Sequence, residues 1–115
     1  MILLNLVTSN KAQIETIVNL LLHHKFATNV IVGNPERAYF NTNEMEIEHT
    51  EVYKLQFATK ALLFSEIEAA LAKEFPHKEF YIYATPIVQT TTRVFDRIQD
   101  NVKMLENHPN KEIEI

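Results

Sequence analysis

Apolar side chains recur along this chain with two periods, and the switches between them mark out the elements. Ile2, Leu3, Leu4, Leu6 and Val7 crowd into six positions and predict a first strand over residues 2–7, apolar on both faces. Ser9 or Asn10 follows as a helix N-cap, with Gln13 three residues after Asn10 as in a capping box. Ile14, Ile17, Val18 and Leu21 then return at i, i+3, i+4 and i+7, which is one face of a helix. Leu20 and Leu22 widen that face, and His24-Lys25 suits the negative end of the helix dipole. Ala27–Val32 predicts a second strand, broken by the turn chemistry of Gly33-Asn34-Pro35 and resumed at Ala38–Phe40. Asn41-Thr42-Asn43 predicts a hairpin turn, because Asn tolerates left-handed backbone.

From Glu44 to Ala58 the period is two: Met45, Ile47, His49, Glu51, Tyr53, Leu55 and Phe57 share one face. At ~3.3 Å per residue such a strand reaches roughly 45 Å, whereas a domain of this size is about 25–30 Å across. The hairpin therefore bends at a bulge or projects past its own domain. A projecting hairpin exposes strand edges that need a partner, and a second subunit is the expected one.

Helical spacing returns from Lys60 to Phe75, with Thr59 as the expected cap and Leu63, Ile67, Ala70 and Leu71 inward. Pro76 and Pro86 bracket a last strand over residues 79–85, with Phe80, Ile82 and Ala84 on one face and Glu79, Tyr81 and Tyr83 on the other. One of Thr90, Thr91 or Thr92 caps a third helix carrying Phe95, Ile98, Val102 and Leu105, ended by Asn107-His108-Pro109-Asn110. The order is α+β, a ferredoxin-like βαββαβ plan with a long β-hairpin and a C-terminal helix. Residues 1–115 read as a single domain, with 105–115 a loosely attached tail or a short added strand. Such a sheet carries its helices on one face. The other face, with Leu3, Val7, Tyr81 and Tyr83, would be a large apolar patch, a second sign of an oligomer.

Composition removes whole classes. Eleven basic against fifteen acidic residues give a net charge of −4 and no basic stripe, so no nucleic-acid partner is expected. No apolar run approaches a membrane span, so no membrane partner is expected either. With no cysteine, disulfides, zinc–thiolate sites and thiol nucleophiles are absent, which fits a cytoplasmic location. A single glycine, Gly33, excludes phosphate loops and dinucleotide fingerprints, which need several. Ser9 and Ser65, the only serines, lie at helix starts without an oxyanion loop, so no enzyme activity is expected.

The segment around the last strand resembles the CutA divalent-cation tolerance family, part of the PII-like group of trimers. The family pattern is a helix, His-Pro-Tyr-Glu, and a strand of the type Pro-Glu-Ile-Ile-Ala-Leu-Pro-Ile. Pro76, Ile82, Ala84, Pro86 and Ile87 fit it without a gap. Leu6-Val7-Thr8, Ala38-Tyr39, Glu46-Ile47-Glu48, Ala58-Thr59 and Phe95-Asp96-Arg97-Ile98 are similar to further family segments, over roughly residues 3–105. The chain departs at Phe75, His77, Lys78 and Tyr81, where the family has His, Tyr, Glu and Glu. Asn29 stands for its cysteine, and the hairpin has no tryptophan. The resemblance implies a homotrimer with a role in metal-ion tolerance or signalling, binding a small molecule or metal in clefts between subunits. It places Tyr39 and Lys78 at such a ligand cleft.

Two constellations are candidates for a divalent ion such as Cu or Zn, the only cofactor in view. Glu44, Glu46, Glu48, His49 and Glu51 offer oxygen and imidazole donors along the hairpin, and their plainer reading is a solvated acidic edge. His77 and Glu79 flank the start of the last strand and would bind metal or move a proton, against the plainer reading of an exposed turn. His77, Glu79 and Glu48 are the expected metal residues. The alternative function is a structural or protein-interaction trimer that keeps no metal site.

Overall fold

A computed structural model describes residues 1–75 and 80–104. Among them five strands and three α-helices follow in the order β1 (Ile2–Thr8), α1 (Ile14–His23), β2 (Ile31–Val32), β3 (Glu36–Asn41), β4 (Ile47–Thr59), α2 (Phe64–Glu74), β5 (Phe80–Pro86), α3 (Thr92–Asn101). The strands form an antiparallel sheet in the order β2-β4-β1-β5, with β3 also on β4. The fold is the expected α+β, ferredoxin-like βαββαβ arrangement, its second strand split into β2 and β3 around Pro35.

The register explains which side chains are covered. Leu6 pairs with Leu55 and Ile82, and Leu4 with Phe57 and Ala84. These residues share the face on which α1 and α2 lie. Leu4, Leu6, Ile17, Leu21, Leu55, Leu63, Ile67 and Leu71 are completely buried there. Removing an aliphatic side chain from water is worth about 1.5–3 kcal/mol, so this cluster dominates the stability of the fold.

β4 has two halves. Tyr53–Thr59 pair with β1, while Ile47–Val52 pair only with β3. Burial follows the same division: alternation with buried residues begins at Tyr53, and the first five residues are all exposed. The hairpin projects, as its length requires. The longest dimension is 53 Å against 30 and 25 Å for the others. The Cα radius of gyration is 16.1 Å, where a compact chain of this length has about 13 Å.

Several boundaries differ from the sequence-based expectations, most of them for a tertiary reason, while the cap of α3 is one of the three expected threonines. The second strand shrinks from Ala27–Val32 to Ile31–Val32 because Phe26 and Ala27 are buried in the core. Thr59 does not cap α2. Its hydroxyl donates to the Phe26 carbonyl at 2.7 Å and ties the end of β4 to the chain leaving α1. The left-handed residue of the hairpin turn is Met45 (φ 65°), not an asparagine, and Asn41 belongs to β3. Thr91 is the cap of α3, its hydroxyl accepting from the Val94 N–H. That helix ends at Asn101, not at 107–110, because the Lys103 N–H turns to meet the Lys25 carbonyl. The Lys103 ammonium also pairs with Glu66 at 2.5 Å and lies over the Phe26 ring. Phe95, expected inward, is 48% exposed. Leu105 and the tail lie outside the described residues.

Lys25 closes α1. Its N–H donates to Leu22 and that of Phe26 to Leu21, a Schellman arrangement with Lys25 at φ 60°. A left-handed residue with a Cβ costs roughly 1–2 kcal/mol. Lys25→Gly is therefore expected to raise stability by about 1 kcal/mol, seen as a higher urea midpoint with unchanged slope.

Candidate functional site

On the face without helices the register lines up Leu3, Asn5 and Val7 of β1 with Lys54, Gln56 and Ala58 of β4 and with Tyr81, Tyr83 and Thr85 of β5. The Tyr81 and Tyr83 rings stack along β5 with centroids 6.4 Å apart, and Tyr81 is 60% exposed. A polar pair sits among them: Gln56 Nε2 donates to Asn5 Oδ1 at 2.6 Å, and Asn5 is only 4% exposed. Lys54 pairs with Glu36 at 3.2 Å across the root of the hairpin, and that carboxylate holds the ammonium above its ordinary value.

Where the hairpin leaves the sheet, a cleft of about 390 Å³ opens. Val7 and Ser9 come from the end of β1, Tyr39 and Phe40 from β3, Thr50 from β4 and Tyr81 from β5. It exists because β1 stops at Thr8 while β4 and β3 continue, so among the described residues one side of the arm has no strand beside it. Its wall is mainly aromatic and aliphatic, with hydroxyls as the polar groups. Such a lining suits a flat or apolar group held by a few hydrogen bonds.

Tyr39, expected at a ligand cleft, is on this wall. Its hydroxyl accepts from Arg37 at 3.2 Å, and its ring packs against His49 with centroids 5.4 Å apart. Lys78, His77 and Glu79 lie outside the described residues. The chain resumes at Phe80, itself part of the wall. Glu48 is exposed on β4 opposite Phe40. Glu44 and Glu46 fall in the turn rather than on the strand with Glu48, and His49 and Glu51 point to the other face from Glu48, as the alternation required. Among the described residues, no three His, Asp or Glu side chains group as a metal site.

The sequence reading did not place Arg37, Val7, Ser9 or Thr50 at a ligand site. Arg37 stands opposite Glu51 in the β3–β4 ladder, and the alternation of both strands was the signal for that pairing. The other three are brought together by register alone. Glu51 accepts a 2.7 Å hydrogen bond from the Tyr53 hydroxyl. That bond, burial and the carboxylate's charge all hold the phenol above its ordinary 10.0.

This fold, a ferredoxin-like sheet with a projecting hairpin, is similar to that of solved CutA structures. CutA1 from the psychrotrophic bacterium Shewanella sp. SIB1 superposes with a TM-score of 0.81 at 18% identity, covering 90% of this chain and 95% of that one. The divalent cation tolerance protein Cut A1 from Thermus thermophilus gives 0.80 at 16%, covering 90% and 100%. The periplasmic divalent cation tolerance protein CutA from Archaeoglobus fulgidus gives 0.79 at 21%, again covering 90% and 100%. No protein-family model matches the chain, and no curated protein matches it. At these identities the likeness establishes a CutA-like fold.

The Glu51–Tyr53 contact gives a direct check of the arm's geometry. The raised phenol keeps its proton through neutral pH, so the contact is intact there. It is lost only as the pH climbs past the ordinary tyrosine range. Absorbance at 295 nm is expected to show one late-ionising tyrosine, which Glu51→Gln moves back toward 10.0.

Proposed function

We propose that this chain is a divergent CutA-type protein, a homotrimer that contributes to divalent-cation tolerance by binding rather than by catalysis. The observation that carries this is the likeness in fold to CutA proteins over nine-tenths of the chain. The exposed surface supports it independently. An unaccompanied arm and a sheet face bearing Tyr81 and Tyr83 are the surfaces a monomer would not leave in water. The divalent-cation role comes from what those relatives are called, and this chain carries it as a reading of its fold.

The ligand site of this reading is the cleft at the root of the arm. Tyr39 and Phe40 hold one wall, and Lys78, two positions before the wall residue Phe80 in the sequence, is the proposed cation of the site. His77 and Glu79 flank Lys78 in the sequence and Glu48 stands opposite Phe40 in the ladder, and these three are the proposed donors. An imidazole with two carboxylates suits Zn or Cu. The division of the acidic run between the turn and two strand faces favours a second reading, an assembly protein without a metal site.

Sedimentation equilibrium is expected to give three times the chain mass, and Tyr81→Glu with Tyr83→Glu to lower it. A wild-type protein that stays at one chain mass contradicts the assembly. Calorimetric titration with Zn²⁺ and Cu²⁺ separates the two functional readings. Saturable heat that weakens tenfold or more in His77→Ala and in Glu48→Ala supports the metal site. An absence of heat leaves the assembly protein.

A further inference from the structure

The tip of the arm is built for contact. Thr42 and Glu46 close it: the Thr42 N–H donates to the Glu46 carbonyl at 2.7 Å, and the Met45 N–H to the Thr42 carbonyl at 2.9 Å. The Thr42 hydroxyl accepts from the Glu46 N–H at 3.2 Å. This is a tight turn followed by one left-handed residue, a position that glycine usually fills. Here it is Met45, at φ 65° and 83% exposed. A long, adaptable apolar side chain is thus held at the far end of the arm in a conformation it disfavours. Ile47 and Phe40 beside it are also exposed. A strained residue kept at an exposed tip points to a role in binding.

At the opposite end of the sheet, two adjoining hollows of about 770 and 380 Å³ share Met1 and Phe95 as lining residues. Val88 borders the first and Leu62 the second, and both are largely exposed. The charges of tip and groove are complementary. Between Arg37 and Lys54 the chain carries Glu44, Glu46, Glu48 and Glu51 and no lysine or arginine. The residues lining the groove include no carboxylate. Lys60 borders it, and Thr91 and Thr92 bring the positive end of the α3 dipole to it.

We propose that Met45 of one copy seats in the groove formed by Met1, Leu62, Val88 and Phe95 on a second copy of this chain. The inference rests on the assembly proposed above and specifies its contact. The tip cannot reach the groove of its own chain. The 13 residues of β4 separate them, roughly 40 Å at ~3.3 Å per residue. Thioether against the Phe95 ring is a favourable pairing, and the glutamates beside Met45 meet Lys60 and the α3 N-terminus. A tip-to-groove contact is heterologous, so repeated around an axis it closes a ring.

The chain has no cysteine, which makes the test clean. A Met45→Cys/Leu62→Cys double variant is oxidised and run on a non-reducing gel, with its mass before oxidation measured by light scattering. Covalent species of two and three copies are expected, with little from a Met45→Cys/Glu68→Cys control. An oligomer that does not cross-link, or that cross-links equally in the control, overturns the docking and leaves the assembly standing. A monomer overturns both. Met45→Gly removes the backbone strain, so it folds at least as well as the wild type. It is expected to raise the dissociation constant of the assembly tenfold or more with an unchanged circular dichroism spectrum. An unchanged dissociation constant overturns the docking.

Discussion

The structure depends on a mismatch of length. β4 is a 13-residue strand, and β1 is long enough to pair with only its second half, Tyr53–Thr59. Inside that half the hydrogen bonds of the ladder and the burial of Leu55 and Phe57 reinforce each other. Beyond Tyr53 the strand has β3 on one side and no strand of the described residues on the other. Backbone donors and acceptors on that side are left to water or to another molecule. The 53 Å long axis, the cleft and the exposed tip all follow from this one excess.

The two faces of the sheet are held by different physics. On the helix side the stabilisation is burial of aliphatic side chains, completed by two ties. The Thr59 hydroxyl holds the Phe26 carbonyl, and the Lys103 backbone N–H holds that of Lys25. On the other face the contacts are polar or aromatic and lie in pairs along the ladder: Asn5 with Gln56, Lys54 with Glu36, Tyr81 with Tyr83. A partly buried amide pair adds little net stability but is costly to leave unmade. Asn5 and Gln56 therefore fix register on a face where apolar packing alone would tolerate slippage. The rings and charges around them are the groups available to another molecule.

The same division separates the two readings of function. A cleft lined by aromatic rings and hydroxyls suits an organic ligand, whereas a metal ion needs donors that converge. The described donors diverge, because Glu48 and His49 are neighbours in a strand and neighbours in a strand face opposite ways. A metal reading therefore leans on His77 and Glu79, and a binding or assembly reading leans on the cleft and the arm.

Much of the fold was legible in the chain. The period-two run from Glu44 to Ala58 announced β4 and its excess length. The spacing of Ile14, Ile17, Val18 and Leu21 announced α1, and the succession of strand and helix patterns announced the βαββαβ order. These are local signals: side-chain period and turn chemistry act within a few residues. What the tertiary structure alone decided involves residues far apart. Phe26 and Ala27 left the strand pattern because the core took them, and α3 stopped early because Lys103 had a partner at Lys25. Val7, Tyr39, Thr50 and Tyr81 became one wall because the sheet register set them side by side. Period fixes which way a side chain points on its own strand. Which other side chain it meets depends on pairing across the chain, and no local pattern carries that.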